Sequence, residues 1–379
     1  MLIRHNGGGL RLAALGALGF VFLACSNPTG AETSPSTRAS PAAVASSRAA
    51  DLRTQLDLLL AEHVMIVAKE SAAAVNRSDE YSSYTALLTT NSTDLTSLMS
   101  RAFGNTAATQ LAQAWSVQNG YLVDYAIGVV THNDDKANGA MSGLMNGFVL
   151  QFAQVISSVS GLPLDSVTQP TAQQMLGDKA FIDDVFAQKY ASFYVDLHKA
   201  YAQASRLGDV LAAQIVQSFP DKFPGDPTAH AVDVRVAFNV WLQEHAYLAT
   251  IATDAVVAGR NSEKTAAASA LAANADLLGT AFANAFGSAA ATQFNTIWAA
   301  RDKALLGYAS GDVQSKQALT ETFVTAFVSF GRVDKAHARN QVMATIRVID
   351  DQRAKSKSVA GDDRAAATAM QPIADSIQS

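Results

Sequence analysis

Residues 103–110 read Phe-Gly-Asn-Thr-Ala-Ala-Thr-Gln, and residues 286–293 read Phe-Gly-Ser-Ala-Ala-Ala-Thr-Gln. The two stretches lie 183 positions apart (286 − 103). The same spacing relates four further pairs of identical residues: Asn91 and Asn274, Trp115 and Trp298, Tyr125 and Tyr308, and Gly128 and Gly311. Glu62-His63 recurs as Glu244-His245, one position out of step. This recurrence predicts that the chain carries one helical unit twice, by internal duplication.

Apolar residues recur at three- and four-residue steps, and alanine is abundant, so helix is favoured throughout the two units. Phe219–Pro227 contains three prolines, which exclude a continuous helix and predict the boundary between the units. We therefore predict an all-α fold of two tandem up-and-down bundles, at residues 51–225 and 231–379. The expected helices lie at about 51–76, 81–102, 106–131, 136–159, 171–190, 193–218, 231–258, 263–286, 289–310, 313–330, 333–355 and 361–377.

The N-terminus has the layout of an export signal. Arg4 and Arg11 precede an apolar run, Leu12 to Ala24, which is too short to span a bilayer, and Cys25 follows directly. Phe22-Leu23-Ala24-Cys25 resembles the lipobox of bacterial lipoproteins, which predicts a signal peptide at 1–25 and a lipid anchor on Cys25. Cleavage near residues 24–31 by an ordinary signal peptidase is the alternative. Residues 26–50, rich in Ser, Thr, Pro and Ala, are predicted to be a flexible tether.

The expected location is therefore the periplasmic or extracellular face of a bacterial membrane. The whole chain has 28 basic and 33 acidic residues, and removal of the signal leaves 26 basic residues because it takes away Arg4 and Arg11. An acidic mature chain disfavours nucleic acid as a partner.

Three motifs carry a resemblance to a known family. They are Glu62-His63, Trp115-x-x-Gln118-x-Gly120-Tyr-Leu-Val-Asp124-Tyr125, and Ala200-Tyr201-Ala202-Gln203 running on to Phe219-Pro-Asp-Lys-Phe-Pro-Gly225. Over nearly all of 51–330 the chain resembles a family of exported bacterial all-helical proteins without an established activity. The resemblance implies several histidines converging in each bundle, where a metal or a polar ligand would bind. Here Gln118, Gln203, Lys179 and Arg301 stand at histidine positions of that family.

The remaining histidines, His63 and His245, support several interpretations. Glu62 and His63 are adjacent, so on a helix they point about 100° apart and do not face one ion together. One interpretation is structural, with the histidine bonded to the next helix. The second is a polar pocket formed by the candidate residues Glu62, His63, Gln118, Asp124, Gln203, Glu244 and His245. The third is a metal site, for which one imidazole per bundle supplies too few ligands unless carboxylates complete the set.

Motifs of common enzyme classes are missing from the sequence, including Gly-x-Ser-x-Gly, a phosphate-binding glycine loop and paired Glu-x-x-His helices. We therefore expect no cofactor and a non-enzymatic protein that binds an unknown protein or small molecule at the cell envelope. The alternative is a metal- or cofactor-binding protein that uses the Glu-His positions. A ligand pocket is expected within residues 51–225, and His198 is expected to be exposed.

Overall fold

The computed structural model describes residues 40–331 and 333–378, and it contains helices and connecting turns but no strand in these residues. The helices of the first half are α1 (Pro41–Ala45), α2 (Arg48–Val75), α3 (Tyr81–Phe103), α4 (Asn105–Val130), α5 (Asp134–Gly143), α6 (Val149–Ser160), α7 (Leu164–Phe186) and α8 (Tyr190–Ser218). Those of the second half are α9 (His230–Val257), α10 (Asn261–Phe286), α11 (Ser288–Ala309), α12 (Val313–Gln317), α13 (Val324–Ser329), α14 (Lys335–Ala354), α15 (Val359–Thr368) and α16 (Gln371–Gln378).

The predicted all-α class is confirmed, and most helix ends agree with the sequence pattern within a few residues. Two of the expected helices contain a π-helical turn, Leu144–Phe148 between α5 and α6 and Ala318–Phe323 between α12 and α13. A π turn holds one extra residue, which rotates the helix face that follows it. Periodicity in the sequence does not reveal such a local change.

The N-terminal predictions fall mostly outside the described residues. Cys25 and the signal segment 1–25 lie there, as does the tether up to residue 39. The last part of the predicted tether is helical, because Ser47 accepts a hydrogen bond from the backbone N–H of Ala50 and so caps α2. Ala49 and Ala50 are fully buried. None of the helices in the described part of the chain is both long and apolar enough to cross a membrane.

Two glycines join consecutive helices at corresponding places in the two halves. Gly104 links α3 to α4 with φ 86° and ψ 167°, and Gly287 links α10 to α11 with φ 89° and ψ 166°. This backbone region is accessible almost only to glycine. The Phe-Gly dipeptide of the repeated stretch therefore sets the same sharp corner twice.

Helices α2 and α9 lie side by side at the centre of the structure. Near their first turns, Arg53 of α2 lies 2.6 Å from Asp233 of α9, and Arg235 of α9 lies 2.6 Å from Asp51 of α2. Most residues of both helices are buried. Helices α3, α4, α7 and α8 pack around α2, and α10, α11, α14, α15 and α16 pack around α9.

The later turns of α2 and α9 are joined by a buried polar network. Lys69 of α2 donates to Thr250 of α9 at 2.9 Å and forms an ion pair with Asp363 of α15. Asp363 also accepts hydrogen bonds from Thr250 at 2.6 Å and Tyr84 at 3.1 Å. Because contacts link early turns to early turns and late turns to late turns, α2 and α9 run parallel.

The segment between α8 and α9, residues 219–229, is not helical, as its prolines predicted. The two halves nevertheless share one continuous hydrophobic core, and the described residues form one compact unit. Arg53 fixes the linking segment by donating to the carbonyl oxygen of Pro227 at 2.7 Å. The origin of the halves by duplication remains a prediction.

Candidate functional site

The two adjacent residues of each Glu-His pair point in different directions, as helix geometry requires. His63 packs against Trp115 with ring centroids 5.1 Å apart, and His245 packs against Trp298 at 5.0 Å. Each histidine thus faces the aromatic core of its own half. Each glutamate faces the region where the two halves meet.

His63 is fully enclosed, and its two ring nitrogens form no hydrogen bond with any described residue. Burial lowers the pKa of His63 from 6.5 to about 4, and the neighbouring Asn91 opposes this shift only in part. His245 has partners instead: Asn274 Oδ1 and Asp302 Oδ1 each lie 3.0 Å from one of its ring nitrogens. The expected bond from histidine to the next helix therefore forms in the second half.

Gln118 is buried one helical turn after Trp115, where the second half has Arg301. Its Nε2 lies 3.6 Å from the sulfur of Met175, and its Oε1 has no hydrogen-bond partner in the described chain. Arg301 is also fully buried, and its guanidinium donates to Gln341 at 3.1 Å. Gln118 and His63 thus line the same interior region of the first half without bonding to each other.

Asp124 and Gln203 lie at the surface. Asp124 is half-exposed and pairs with Lys136 at 2.6 Å. Gln203 accepts a hydrogen bond of 3.0 Å from Arg206. Neither bonds to Glu62 or His63 within residues 40–331 and 333–378, so the structure does not assemble the candidate residues into one pocket. Their positions in the family motifs do not specify which side chains meet, because that depends on how the helices dock.

Glu62 is buried beneath a cavity of about 320 Å³, which we call the α3–α15 cavity. Its carboxylate accepts hydrogen bonds from Asn91 at 2.9 Å, from Tyr247 at 2.9 Å, and from two guanidinium nitrogens of Arg364 at 2.9 and 3.2 Å. Arg364 also lies 2.7 Å from Asp94 at the rim. The side chain of Arg364 thus neutralises Glu62 inside this cavity.

Glu244 occupies the corresponding place beside α8 and α10. It is fully buried, and it accepts hydrogen bonds from Asn274 at 2.8 Å and from Nδ1 of His198 at 2.8 Å. The His198 ring stacks on Trp241 at 5.7 Å. The hydrogen bond to Glu244 raises the pKa of His198, while burial opposes the shift.

The Glu244–His198 pair forms part of a cavity of about 810 Å³, which we call the α8–α10 cavity. Three alanines of α10, Ala266, Ala270 and Ala273, form part of its wall, and their short side chains leave space between the helices. Val195 and Leu277 line it while remaining 53% and 36% exposed. The 183-residue spacing aligns Leu277 with Asp94. The rim of the α8–α10 cavity therefore has an apolar side chain where the rim of the α3–α15 cavity has a charged one.

This cavity differs from the sequence expectation in two ways. Its walls come from residues 188–199 of the first half and 244–277 of the second, whereas the pocket was expected within 51–225. His198 is half-buried, with 40% of its side chain exposed, because Trp241 and Glu244 of α9 cover it. The sequence of α8 alone does not predict that His198 is covered, because Trp241 and Glu244 both belong to the other half.

The described part of the chain has no cluster of three or more His, Cys, Asp or Glu side chains placed to hold a metal ion. The Glu244–His198 pair offers two such groups. Comparisons with models of known protein families, with characterised proteins and with solved structures gave no match to this chain.

Proposed function

We propose that this chain is an exported, lipid-anchored helical protein that binds a small amphipathic molecule in the α8–α10 cavity. The observation that carries the proposal is a cavity of about 810 Å³ with largely apolar walls and one acid–base pair, the buried Glu244 and the half-buried His198. Ligand sites in proteins are typically apolar clefts of roughly 300–1,000 Å³ with a few convergent polar groups.

The apolar rim supports this function. Val195 and Leu277 keep a large part of their apolar surface in water, and a ligand in the cavity would cover that surface. Each square ångström of apolar surface removed from water contributes about 25 cal/mol. Large side chains on α10 in place of its alanines would fill the same space and remove the site.

The hydrogen bonds of His198 favour a ligand-binding function over a catalytic one. Its Nδ1 is held by Glu244, as in hydrolytic triads, but no serine, threonine or cysteine in the described residues bonds to the ring. The pair therefore lacks the nucleophile that such chemistry uses. The metal-binding alternative has less support, because the described residues hold no group of three or more His, Cys, Asp or Glu side chains placed around one ion.

Export and lipid anchoring are proposed from the N-terminal sequence alone. Cys25 follows a short apolar run after two arginines, and its thioether would hold the lipid. Growth of the native host with radiolabelled palmitate should label the wild-type chain and not a Cys25→Ala variant. Label retained on Cys25→Ala, or an unlabelled wild-type chain, would refute the anchor.

Ligand binding is tested with the neutral fluorophore N-phenyl-1-naphthylamine, which becomes bright in apolar surroundings. We expect saturable binding to the wild-type protein. Ala270→Trp should weaken it at least tenfold, because the indole fills the cavity that Ala270 lines. The control is Ala272→Trp, an exposed position on the same helix, which should bind as the wild type does. Equal binding by Ala270→Trp, or no saturable binding, would contradict the proposal.

A further inference from the structure

His198 lines the α8–α10 cavity, and only one of its two ring nitrogens is hydrogen-bonded within the described part of the chain. Its Nδ1 lies 2.8 Å from Glu244, and in the protonated ring this nitrogen donates to the glutamate. The other nitrogen, Nε2, makes no hydrogen bond with the described residues, and the side chain lining the cavity is 40% exposed. A ligand in the cavity can therefore reach Nε2.

Cationic side chains outnumber acidic ones in the wall of the α8–α10 cavity. The cationic side chains among the lining residues are Lys189, Lys199 and His198, and the acidic one in the described lining is Glu244. Glu244 is fully buried and already neutralised by His198. Lys199 is partly offset by Asp196, which lies 2.8 Å away at the surface. The accessible charge of the cavity wall is consequently positive.

The protonation of His198, which offsets the charge of Glu244, also decides the hydrogen-bonding role of Nε2. The hydrogen bond and the negative charge of Glu244 raise its pKa, while burial and the cation Arg206 on the same helix oppose them. From α10, Asn274 and the alanines face the cavity without charge. In the protonated ring both nitrogens are donors, so Nε2–H points a charge-assisted donor at the ligand.

Resting on the proposed function, we propose that the ligand is an amphipathic anion whose carboxylate accepts a hydrogen bond from Nε2–H of His198. Its apolar tail lies along the alanines of α10 and beneath Val195 and Leu277. The ligand class is that of a fatty acid or a similar acid-headed amphiphile.

A cationic head group is disfavoured by the state of the buried carboxylates. Glu62 is bonded to the guanidinium of Arg364, and Glu244 is bonded to the imidazole of His198. Each of these two glutamates already has a cation from the chain itself. A ligand ammonium would have to displace His198 and leave its charge facing an apolar wall.

The experiment compares three twelve-carbon probes below their micelle-forming concentrations: dodecanoate, 1-dodecanol and dodecylammonium. Each displaces N-phenyl-1-naphthylamine from the intact mature protein. At pH 6 we expect dodecanoate to bind at least tenfold more tightly than dodecanol, because one charge-assisted hydrogen bond contributes about that much. This preference should fall as the pH rises through the pKa of His198, and dodecanol binding should stay constant.

His198→Gln should abolish the preference for dodecanoate while dodecanol still binds. The matched control is Lys264→Gln, which removes an exposed charge of α10 outside the cavity lining and should keep the preference. Equal binding of dodecanoate and dodecanol to the wild type, a preference for dodecylammonium, or a loss in Lys264→Gln alone would overturn the inference and leave the proposed function intact. If none of the three probes displaces the fluorophore, the proposed function fails as well.

Circular dichroism tests whether His198→Gln folds. If this variant does not fold, the wild-type protein still tests the inference, because a preference for dodecanoate that does not change with pH overturns it.

Discussion

His198 Nδ1 lies 2.8 Å from the carboxylate of Glu244, and this bond connects α8 of the first half to α9 of the second. It raises the pKa of His198 above its ordinary value. A histidine whose pKa is raised in the folded state stabilises the fold below its unfolded pKa. That stability is lost as the pH rises through the folded pKa.

We therefore expect His198→Gln to destabilise the protein more at pH 5.5 than at pH 8.5. Urea denaturation at the two pH values measures the difference. Lys199→Gln on the same helix serves as the control, because its exposed pair with Asp196 contributes little at either pH. An equal loss for His198→Gln at both pH values would contradict the expectation.

His63 should have the opposite effect. Its pKa is lowered to about 4 by burial, so the unfolded chain takes up the proton first as the pH falls. The free energy of unfolding then falls by about 3 kcal/mol between pH 6.5 and pH 4, at 1.36 kcal/mol per pKa unit. His63→Leu should remove most of this acid-induced loss, as measured by denaturation at pH 7.5 and pH 4. If the substitution left the pH dependence of the unfolding free energy unchanged, His63 would be accessible to protons in the folded state.

Asp178 is a buried carboxyl group whose only hydrogen bond among the described contacts comes from Gln174, at 2.8 Å. Burial raises its pKa from 3.8 to about 7. The fold is favoured by its protonated form, so stability is lost as the pH rises through 7. Asp178→Asn should stabilise the protein at pH 9, by up to about 4 kcal/mol, and have little effect at pH 4. Asp124→Asn, at an exposed ion pair, is the control and should change stability by less than about 1 kcal/mol.

Arg364 neutralises the buried carboxylate of Glu62. Arg364→Ala should destabilise the fold by about 3 kcal/mol, because it leaves that charge enclosed without its cation. The double variant Glu62→Gln with Arg364→Ala should recover part of the loss. Urea unfolding of the two single variants and the double variant gives the coupling energy. Additive losses would mean that the two side chains do not interact.

Gly287 turns the chain between α10 and α11 at φ 89°, with open space where a Cβ would be. Gly287→Ala should therefore cost about 1–3 kcal/mol through backbone strain alone. Gly361→Ala, within α15 and also in open space, should instead stabilise the protein by about 0.5–1 kcal/mol. Thermal denaturation of the two variants should shift in opposite directions.

Much of the local structure followed from the sequence. The Phe-Gly corners, the proline-rich segment and the apolar periodicity located the helices, because capping, backbone freedom and helix burial act over a few residues. Trp115 and Trp298, which the 183-residue spacing pairs, are both buried in the core. The sequence missed the π turns, the short helix α1 and the first residues of α2, which begins at Arg48 rather than near residue 51.

The sequence by itself determined the all-α class, the positions of the helices and the divergence of each Glu-His pair, because each depends on the 3.6-residue turn. Only the tertiary structure decided what those glutamates contact. Arg364 lies 302 positions from Glu62, and His198 lies 46 positions from Glu244. Such contacts depend on how whole helices dock, and the apolar periodicity that drives docking does not specify which polar side chains meet across it.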